Sequence, residues 1–260
     1  MTMRRLVILL SLLVPLCGWA QVDRTTLFGV GRGNVMDTYL SPYTYKGPAV
    51  SVALQTERLA HWGRNHVTTQ SRYALQGALA SAHAGGGMQY DGALELAGGW
   101  HRNWYFCSER LRVAAGGLME LWGGGSYSSI GGNNPAQGRL GADVAASAIG
   151  AYRFPVRKQV WESRLQIDVP LLGAAFAPQY GQSYYELFTL GHYDRNVRPV
   201  CPINAPSVRL QATLSIPVRH SRFVVGYNAS IRQHTLNGLR QHGWYNQFVV
   251  GFSRRLNLTR

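Results

Sequence analysis

The residues with the greatest capacity for chemistry lie between positions 180 and 196, which read YGQSYYELF and, two residues later, GHYDRN. Aromatic rings together with carboxylate and imidazole groups can bind a sugar or a lipid headgroup, and binding residues often lie on exposed loops. We therefore predict a ligand-binding surface formed by Tyr184, Tyr185, Glu186, His192 and Asp194. The alternative is a structural role, in which this segment folds over the rest of the domain or into its interior.

The same segment contains the residue types of a hydrolase. Ser183, His192 and Asp194 could supply a nucleophile, a base and an acid for attack on a lipid or a peptide. Residue types close together in sequence do not establish a geometry, so no catalytic residue is assigned. The eight histidines show no metal-binding spacing, and no metal ion or cofactor is predicted.

The elements that must position this segment are β-strands. Residues 207–231 show the clearest pattern, with a break at 219–221 and apolar side chains at every second position: Val208, Leu210, Ala212, Leu214, Ile216, Val218, Phe223, Val225, Tyr227, Ala229 and Ile231. Alternation of this kind predicts two strands joined by a tight turn, each with one apolar and one polar face. Their length matches the about 9–11 residues that a tilted membrane-spanning strand needs.

The same alternation recurs along the chain and predicts ten strands, with twelve as the alternative count. Short turns are predicted at 63–65, 101–108, 155–159 and 219–221, and longer loops at 34–48, 83–87, 123–137, 173–206 and 235–243. Short turns on one side and longer loops on the other are typical of bacterial outer-membrane barrels. The predicted fold is all-β, a single antiparallel up-and-down transmembrane β-barrel at 21–260 with a long extracellular loop at 173–206.

The start of the chain and its charge favour export to the bacterial outer membrane. Residues 1–20 have a basic start, an apolar stretch from Leu6 to Leu16 and small residues near Ala20, which predicts a signal peptide. The formal net charge is +14, yet no nucleic-acid-binding motif is present. The predicted partners are therefore outer-membrane lipid and lipopolysaccharide or other polysaccharide, without nucleic acid. The oligomeric state is left open.

A secreted soluble β-sandwich would show similar alternation. Two further patterns in the sequence concern the positions of tryptophans and of carboxylates. The tryptophans fall near predicted strand ends, as in interfacial girdles: Trp62, Trp100, Trp104 and Trp161 beside short turns, and Trp122 and Trp244 at the opposite ends. Seven carboxylates fall on the polar faces: Glu57, Asp91, Glu95, Glu120, Asp143, Glu162 and Asp168. A soluble sandwich would also place charges opposite apolar residues, so the membrane barrel is favoured by the tryptophan positions together with the predicted signal peptide and the asymmetry of turns and loops.

The width of the predicted barrel bears on what could pass through it. A ten-stranded barrel is only slightly wider than the eight-stranded kind, whose interior is filled by side chains. Arginines on the polar faces, among them Arg72, Arg112, Arg164 and Arg209, would pair with the carboxylates because an isolated buried charge is costly. A mostly occluded lumen is therefore predicted. Cys107 and Cys201 fall at opposite ends of the barrel and are predicted to be free thiols.

Several stretches resemble a family of uncharacterised exported Bacteroidetes proteins known as the DUF3316 group. The stretches are RTTLFGVGRGN at 24–34, YLSP at 39–42, NNPAQ at 133–137, YGQSYYE at 180–186 and NAPS at 204–207. The resemblance covers nearly all of the chain after residue 20. It implies a protein of the Gram-negative envelope, and it supplies no activity and no catalytic residue.

These patterns favour a non-enzymatic outer-membrane barrel with a structural or ligand-binding role and a mostly occluded lumen. Two alternatives stay open at this stage. One is a hydrolase that acts on lipid or peptide at the extracellular rim, and the other is a narrow diffusion pore.

Overall fold

The structure, a computed structural model, describes residues 21–60, 62, 66–82, 87–130, 134–193 and 195–257. Within these residues there are eleven strands and one short helix, α1: β1 Gln21–Asp37, β2 Ser41–Leu59, β3 Val67–Ser81, β4 Met88–Phe106, β5 Leu111–Ser128, β6 Ala136–Val156, β7 Gln159–Phe176, α1 Tyr184–Phe188, β8 Val197–Val200, β9 Val208–Val218, β10 Ser221–Leu236 and β11 Leu239–Asn257. The predicted signal peptide at 1–20 and the predicted turn at 63–65 lie outside the described residues.

The described strands close into a barrel because the first strand pairs with the last. β1 pairs antiparallel with β11 from Gln21–Asn257 to Asp37–Gln241, and each of β1 to β6 pairs antiparallel with the strand that follows it. β7 then pairs with β9, and β9 to β11 complete the ring, so ten of the described strands form the wall. β8 lies outside this ring and pairs only with the last four residues of β7. The predicted antiparallel ten-stranded β-barrel is confirmed.

Several predicted loops are shorter than expected because the strands continue through them. The predicted loop at 34–48 is a three-residue turn at 38–40, since β1 runs to Asp37 and β2 begins at Ser41. The predicted loop at 235–243 is the two-residue turn of Asn237 and Gly238, with φ angles of 50° and 77°. Positive φ at both central residues is the type I′ geometry that suits a tight hairpin, and Asn-Gly is its preferred sequence. Polar composition marked these residues as loops, although their backbone pairing continues.

The connection between β7 and β9 is the longest in the described chain. β7 continues to Phe176, so this connection covers residues 177–207 rather than 173–206 and includes α1 and β8. We call residues 177–207 the cap segment and the end of the barrel where it lies the cap end. The opposite end, where β1 begins and β11 ends, is the terminal end.

Alternating side chains give the wall an apolar outside and a polar inside. Large apolar residues are exposed on the outer face, among them Phe28, Val50, Leu75, Leu94, Met119, Leu140 and Phe248. The lumen contains most of the buried polar residues, with small apolar clusters near the cap end. This arrangement suits a wall surrounded by lipid, because pairing within a closed sheet satisfies the backbone polar groups.

Three of the six described tryptophans, Trp62, Trp104 and Trp161, lie near strand ends as predicted, whereas Trp100, Trp122 and Trp244 lie further inside their strands. Trp62, Trp100 and Trp104 are exposed near the terminal end. Trp122 was predicted at a strand end, but β5 continues to Ser128, and the indole is only 7 % exposed inside the lumen. The prediction was wrong because the glycine-rich stretch after Trp122 looks like a loop and instead extends the strand.

Candidate functional site

The middle of the lumen contains a network of buried ion pairs. Inward positions on seven strands supply three arginines and four carboxylates: Arg72, Arg209, Arg232, Glu95, Glu120, Asp143 and Asp168. Arg72 pairs with Glu95, and its guanidinium lies 3.3 Å from Asp168 and 3.6 Å from Glu120. Arg232 lies 2.6 Å from Asp143 and 2.9 Å from Glu120. These contacts connect side chains from opposite walls of the barrel.

Pairing explains how this many charges can be buried. A single ion removed from water costs several kcal/mol, which is offset only when partners and hydrogen bonds surround it. Arg72, Glu120, Asp143 and Asp168 are almost completely buried, and each contacts at least one group of opposite charge. We call this set of seven residues the central network.

A polar chamber lies between the central network and the terminal end. Glu57 pairs with both Arg112 and Arg164, while the Glu162 carboxylate lies 2.8 Å from Arg153. These groups surround a cavity of about 90 Å³ that is lined mainly by charged, amide and hydroxyl side chains. The cavity is large enough for a few water molecules, since each occupies roughly 30 Å³ in the liquid.

The cap side of the central network has a further buried carboxylate. Asp91 pairs with Arg139 and accepts hydrogen bonds from the hydroxyl groups of Tyr245 and Ser126, the latter at 2.7 Å. With Asp91, all seven carboxylates predicted to face the lumen do so and have an arginine partner. Arg139 was missed in the sequence because it follows a predicted loop, although alternation back from Asp143 places it on the inward face.

The cap segment is hydrogen-bonded to three other parts of the barrel rim. The Tyr184 hydroxyl donates to Gln137 Oε1 at 2.9 Å and accepts from the next backbone amide of β6. The Tyr39 hydroxyl donates to the Gln182 carbonyl at 2.9 Å, and Asn237 Nδ2 donates to the Ala177 carbonyl at 2.9 Å. Because these anchors come from the hairpins β1–β2, β5–β6 and β10–β11, the cap segment crosses the mouth of the barrel.

Helix α1 is short and is held by its N-terminal residues. Ser183 Oγ accepts a hydrogen bond from the Glu186 backbone N–H at 3.2 Å, and the Glu186 carboxylate accepts one from the Ser183 N–H at 3.0 Å. This reciprocal pair is a capping box, which satisfies two amide groups that a helix start leaves free. Leu187 is fully buried beneath the helix. The sequence SYYE therefore has a clear structural role.

The structure describes four of the five residues predicted to bind a ligand. Tyr184 is turned toward the barrel rim, where burial raises the pKa of its hydroxyl, and Glu186 serves the capping box. Tyr185 and His192 are exposed on the cap segment. Asp194 lies outside the described residues. Tyr184 and Glu186 therefore have structural contacts, Tyr185 and His192 are exposed, and ligand binding by this set remains a prediction.

The cap segment also has exposed apolar and aromatic side chains, of which only Tyr185 belongs to the predicted ligand-binding set. Four aromatic side chains are exposed there, with fractional exposures of 81 %, 63 %, 68 % and 61 %: Tyr180, Tyr185, Phe188 and Tyr193. Leu190, which lies between Phe188 and Tyr193 in the sequence, is also exposed. We call these five residues the cap aromatic surface. The spacing of aromatic residues was visible in the sequence, but their outward orientation depends on how Tyr184 and Leu187 are buried.

Two groupings resemble hydrolytic sites in composition and differ from them in geometry. Ser183 Oγ is bonded to Glu186, and among the described residues no hydrogen bond joins it to His192. In the lumen, His101 Nε2 lies 2.8 Å from Ser147 Oγ, whose hydroxyl also bonds to Asp168. An active triad instead needs the carboxylate on the other imidazole nitrogen, and in this fully buried set that nitrogen has no hydrogen-bond partner.

The described residues contain no group of three or more His, Cys, Asp or Glu side chains that could hold a metal ion. In the same part of the chain, no helix is both long enough and apolar enough to cross a membrane. Cys107 and Cys201 are free thiols, as predicted.

Closure of the sheet, the apolar outer wall and the charged lumen define this chain as an outer-membrane-type β-barrel. Comparison with solved structures agrees. The outer membrane protease OmpT from Escherichia coli is similar with a TM-score of 0.50 at 7 % identity, over 91 % of this chain and 96 % of that one. The translocator domain of autotransporter NalP from Neisseria meningitidis has a TM-score of 0.45 at 12 % identity, over 97 % of this chain and 94 % of that one. At 7 % identity the likeness to OmpT concerns the fold alone.

The chain belongs to the family described as protein of unknown function (DUF3316), whose model matches residues 19–260. The predicted family is thereby confirmed over nearly the whole chain. Comparison with curated proteins gives no match.

Proposed function

We propose that this protein is a non-enzymatic outer-membrane barrel that holds a polysaccharide-binding surface above an occluded lumen. In this proposal the terminal end faces the periplasm, and the cap segment faces the outside of the cell, as is usual for the longer connections of such barrels. The observation that carries the proposal is the cap aromatic surface, which stays exposed on a segment that is anchored at three points.

The lumen supports a closed barrel rather than a diffusion pore. The central network joins opposite walls, and the cavities on its two sides measure about 90 and 40 Å³. Both are small compared with the roughly 300–1,000 Å³ of common ligand pockets. A sugar or a peptide could pass only if several buried ion pairs separated, and the cost of unpaired buried charges opposes this.

The cap aromatic surface has the chemistry of a carbohydrate site. Tyrosine presents an apolar ring face and a hydroxyl group, which together suit a sugar ring with C–H faces and hydroxyls. Arg195 and Arg198 are exposed on the same segment and can attract acidic groups of a polysaccharide. Anchoring by Tyr184 and Asn237 holds this surface before the ligand arrives, which lowers the entropy lost on binding. The proposed partner is the polysaccharide part of lipopolysaccharide.

The test is binding of purified, refolded barrel to lipopolysaccharide and to its lipid A portion alone, measured by calorimetry. The double variant Tyr185→Ser with Phe188→Ser should weaken binding to the full molecule at least tenfold, because exposed aromatic contacts often contribute more than about 1 kcal/mol each. Tyr43→Ser is the matched control, since Tyr43 is exposed on β2 outside the cap segment. Equal affinity of the double variant and the control, or no binding by the unmodified barrel, would refute the proposal.

A further inference from the structure

The barrel wall is interrupted between β7 and the strands beside it. The β7–β9 ladder ends at the pair Asp168–Arg209, and the β7–β8 ladder begins at Gly173–Val200. Residues 169–172 of β7 therefore have no ladder partner on that side. On the other side, β6 continues to pair with β7 across the same stretch.

Local sequence explains the interruption. Pro170 has no backbone N–H to donate, and a β-bulge leaves Leu171 without a partner on β6. The facing turn bonds to itself, because the Cys201 carbonyl accepts from the N–H groups of Asn204 at 3.1 Å and Ala205 at 2.8 Å. Asn204 Oδ1 also accepts from the Cys201 N–H at 2.8 Å. Several polar backbone groups at this gap are thus satisfied without cross-strand pairing.

The gap joins the outside of the barrel to its interior. Leu171 and Leu172 are 49 % and 65 % exposed on the outer wall, and they line the same small cavity as Trp122 and Arg232 of the lumen. The cavity measures about 10 Å³, so in this state the passage is closed. Trp122 occupies its inner end, with Nε1 donating to Asp143 at 2.7 Å.

Trp122 belongs to an apolar cluster in a lumen that is otherwise largely polar. Its members are Trp122, Ala175, Ala177, Val200 and Leu236, with Ala205 packed against them. Trp122 and Val200 belong both to this cluster and to the lining of the cavity. An apolar chain that entered through the gap would contact Trp122 and Val200, beside the polar side chains of Asp143, Arg232 and His234 that line the same cavity. Ser207 and Gln233 also line the cavity, where Ser207 Oγ accepts a hydrogen bond from the Gln233 N–H at 3.2 Å and Gln233 Oε1 accepts one from Trp244 Nε1 at 3.0 Å.

We propose that this gap admits one hydrocarbon chain of a membrane lipid to the apolar cluster at Trp122. The proposal rests on the membrane location given under the proposed function, and not on the cap aromatic surface. A hydrocarbon chain is the occupant that the position favours, because the outer opening lies among lipid-facing leucines and the cavity borders the apolar cluster at Trp122 and Val200. Entry requires the Trp122 indole to turn away from the gap.

Photocrosslinking tests this directly in the intact barrel. The protein is reconstituted in vesicles of phosphatidylglycerol and phosphatidylethanolamine that contain a phospholipid with a diazirine on one acyl chain, and crosslinked residues are mapped by mass spectrometry. Adducts are expected on lumen residues such as Trp122 and Leu236, besides adducts on the outer wall. Met119 and Val144 are the wall controls, because they face each other on the lipid side of β5 and β6.

A disulfide across the gap gives the matched comparison. Leu172 and Cys201 are the next positions after the Gly173–Val200 pair, so Leu172→Cys can be joined to the native Cys201 in a Cys107→Ser background. Oxidation should reduce the lumen adducts at least fivefold and leave wall adducts unchanged, and reduction should restore them. As a second measurement, the absolute loss of fluorescence intensity on acyl-chain bromination should be smaller in Trp122→Phe than in the unmodified barrel, because the contribution of a quenched Trp122 is removed.

The outcomes separate the two proposals. Wall adducts without lumen adducts, together with an equal absolute loss of fluorescence in Trp122→Phe and the unmodified barrel, overturn the lipid passage and leave the barrel in the membrane. Absence of adducts on Met119 and Val144 overturns the membrane location itself. Lumen adducts that persist after confirmed oxidation show entry by another route and also overturn the proposed passage.

Discussion

Replacing Arg72 with alanine should destabilise the barrel strongly, because Arg72 is the contact point of three buried carboxylates. It pairs with Glu95 and lies within 3.6 Å of both Asp168 and Glu120. The central network has four carboxylates and three arginines, so the substitution leaves four against two. Removing one partner of a buried ion pair typically costs about 3–5 kcal/mol. We expect a loss in this range from the free energy of unfolding.

The measurement is urea unfolding of the barrel refolded in lipid vesicles, followed by tryptophan fluorescence and by gel migration with and without heating. The stability of Arg72→Lys should lie between that of the unmodified barrel and that of Arg72→Ala. Lysine keeps the charge but loses the planar guanidinium that contacts several carboxylates. Arg24→Ala is the control at an exposed position and should change stability by less than about 0.5 kcal/mol. If Arg72→Ala lowers the free energy of unfolding by less than about 1 kcal/mol, and its dependence on urea concentration is unchanged, the network is hydrated or rearranges freely.

Three further substitutions test other parts of the structure. Glu57→Gln leaves two neighbouring arginines without their shared carboxylate, and we expect a loss of about 1–3 kcal/mol in the same urea assay; unchanged stability would contradict this. Tyr184→Phe removes the hydroxyl that anchors the cap segment and should speed hydrogen exchange of α1 about tenfold, whereas Tyr185→Phe should not. Gly238→Ala places a side chain at φ 77° and should cost about 1–2 kcal/mol, whereas Gly92→Ala, with open space around it, should be tolerated.

The inside and outside of the barrel could be predicted from the sequence because strand side chains alternate with a period of two. Once apolar residues such as Leu94 are placed against lipid, the neighbouring Glu95 must face the lumen. The same reasoning predicted pairing, since buried carboxylates need partners. The particular partners were not predictable, because Arg72 and Asp168 meet across the lumen from strands that are distant in sequence.

The ends of the strands were harder to predict than their faces. Glycine, serine and asparagine are typical of loops, and this composition wrongly placed a loop after Trp122 and around Asn237. In the structure the glycines of β5 continue the ladder, and Asn237 with Gly238 forms a hairpin of only two residues. Composition reports local preference, whereas a closed sheet rewards continued pairing with the neighbouring strand. The stabilisation from pairing with a strand distant in sequence cannot be seen in the composition of a short segment.

The candidate site shows the same limit in another form. The stretch around Tyr184 was recognisable as unusual, but its residues divide between structure and surface. Glu186 has the spacing of a capping box after Ser183, a signal that was present in the sequence and was not used. The exposed faces of Tyr180 and Phe188 depend on contacts with the rim, which sequence spacing does not encode.

Stability and the proposed lipid access depend on different parts of this barrel, although one ion pair connects them. The gap beside Pro170 tolerates the loss of pairing because a proline and a self-bonded turn reduce the number of unsatisfied backbone groups, which would be costly in lipid. The central network contributes its stability elsewhere, through Arg72 and its partners. Asp143 belongs to both, since it pairs with Arg232 at 2.6 Å and holds the Trp122 indole at 2.7 Å. Asp143→Ala, which removes both the charge and the acceptor of the Trp122 N–H, should therefore lower stability and also increase the proposed lipid-chain entry, whereas Arg72→Ala should only lower stability.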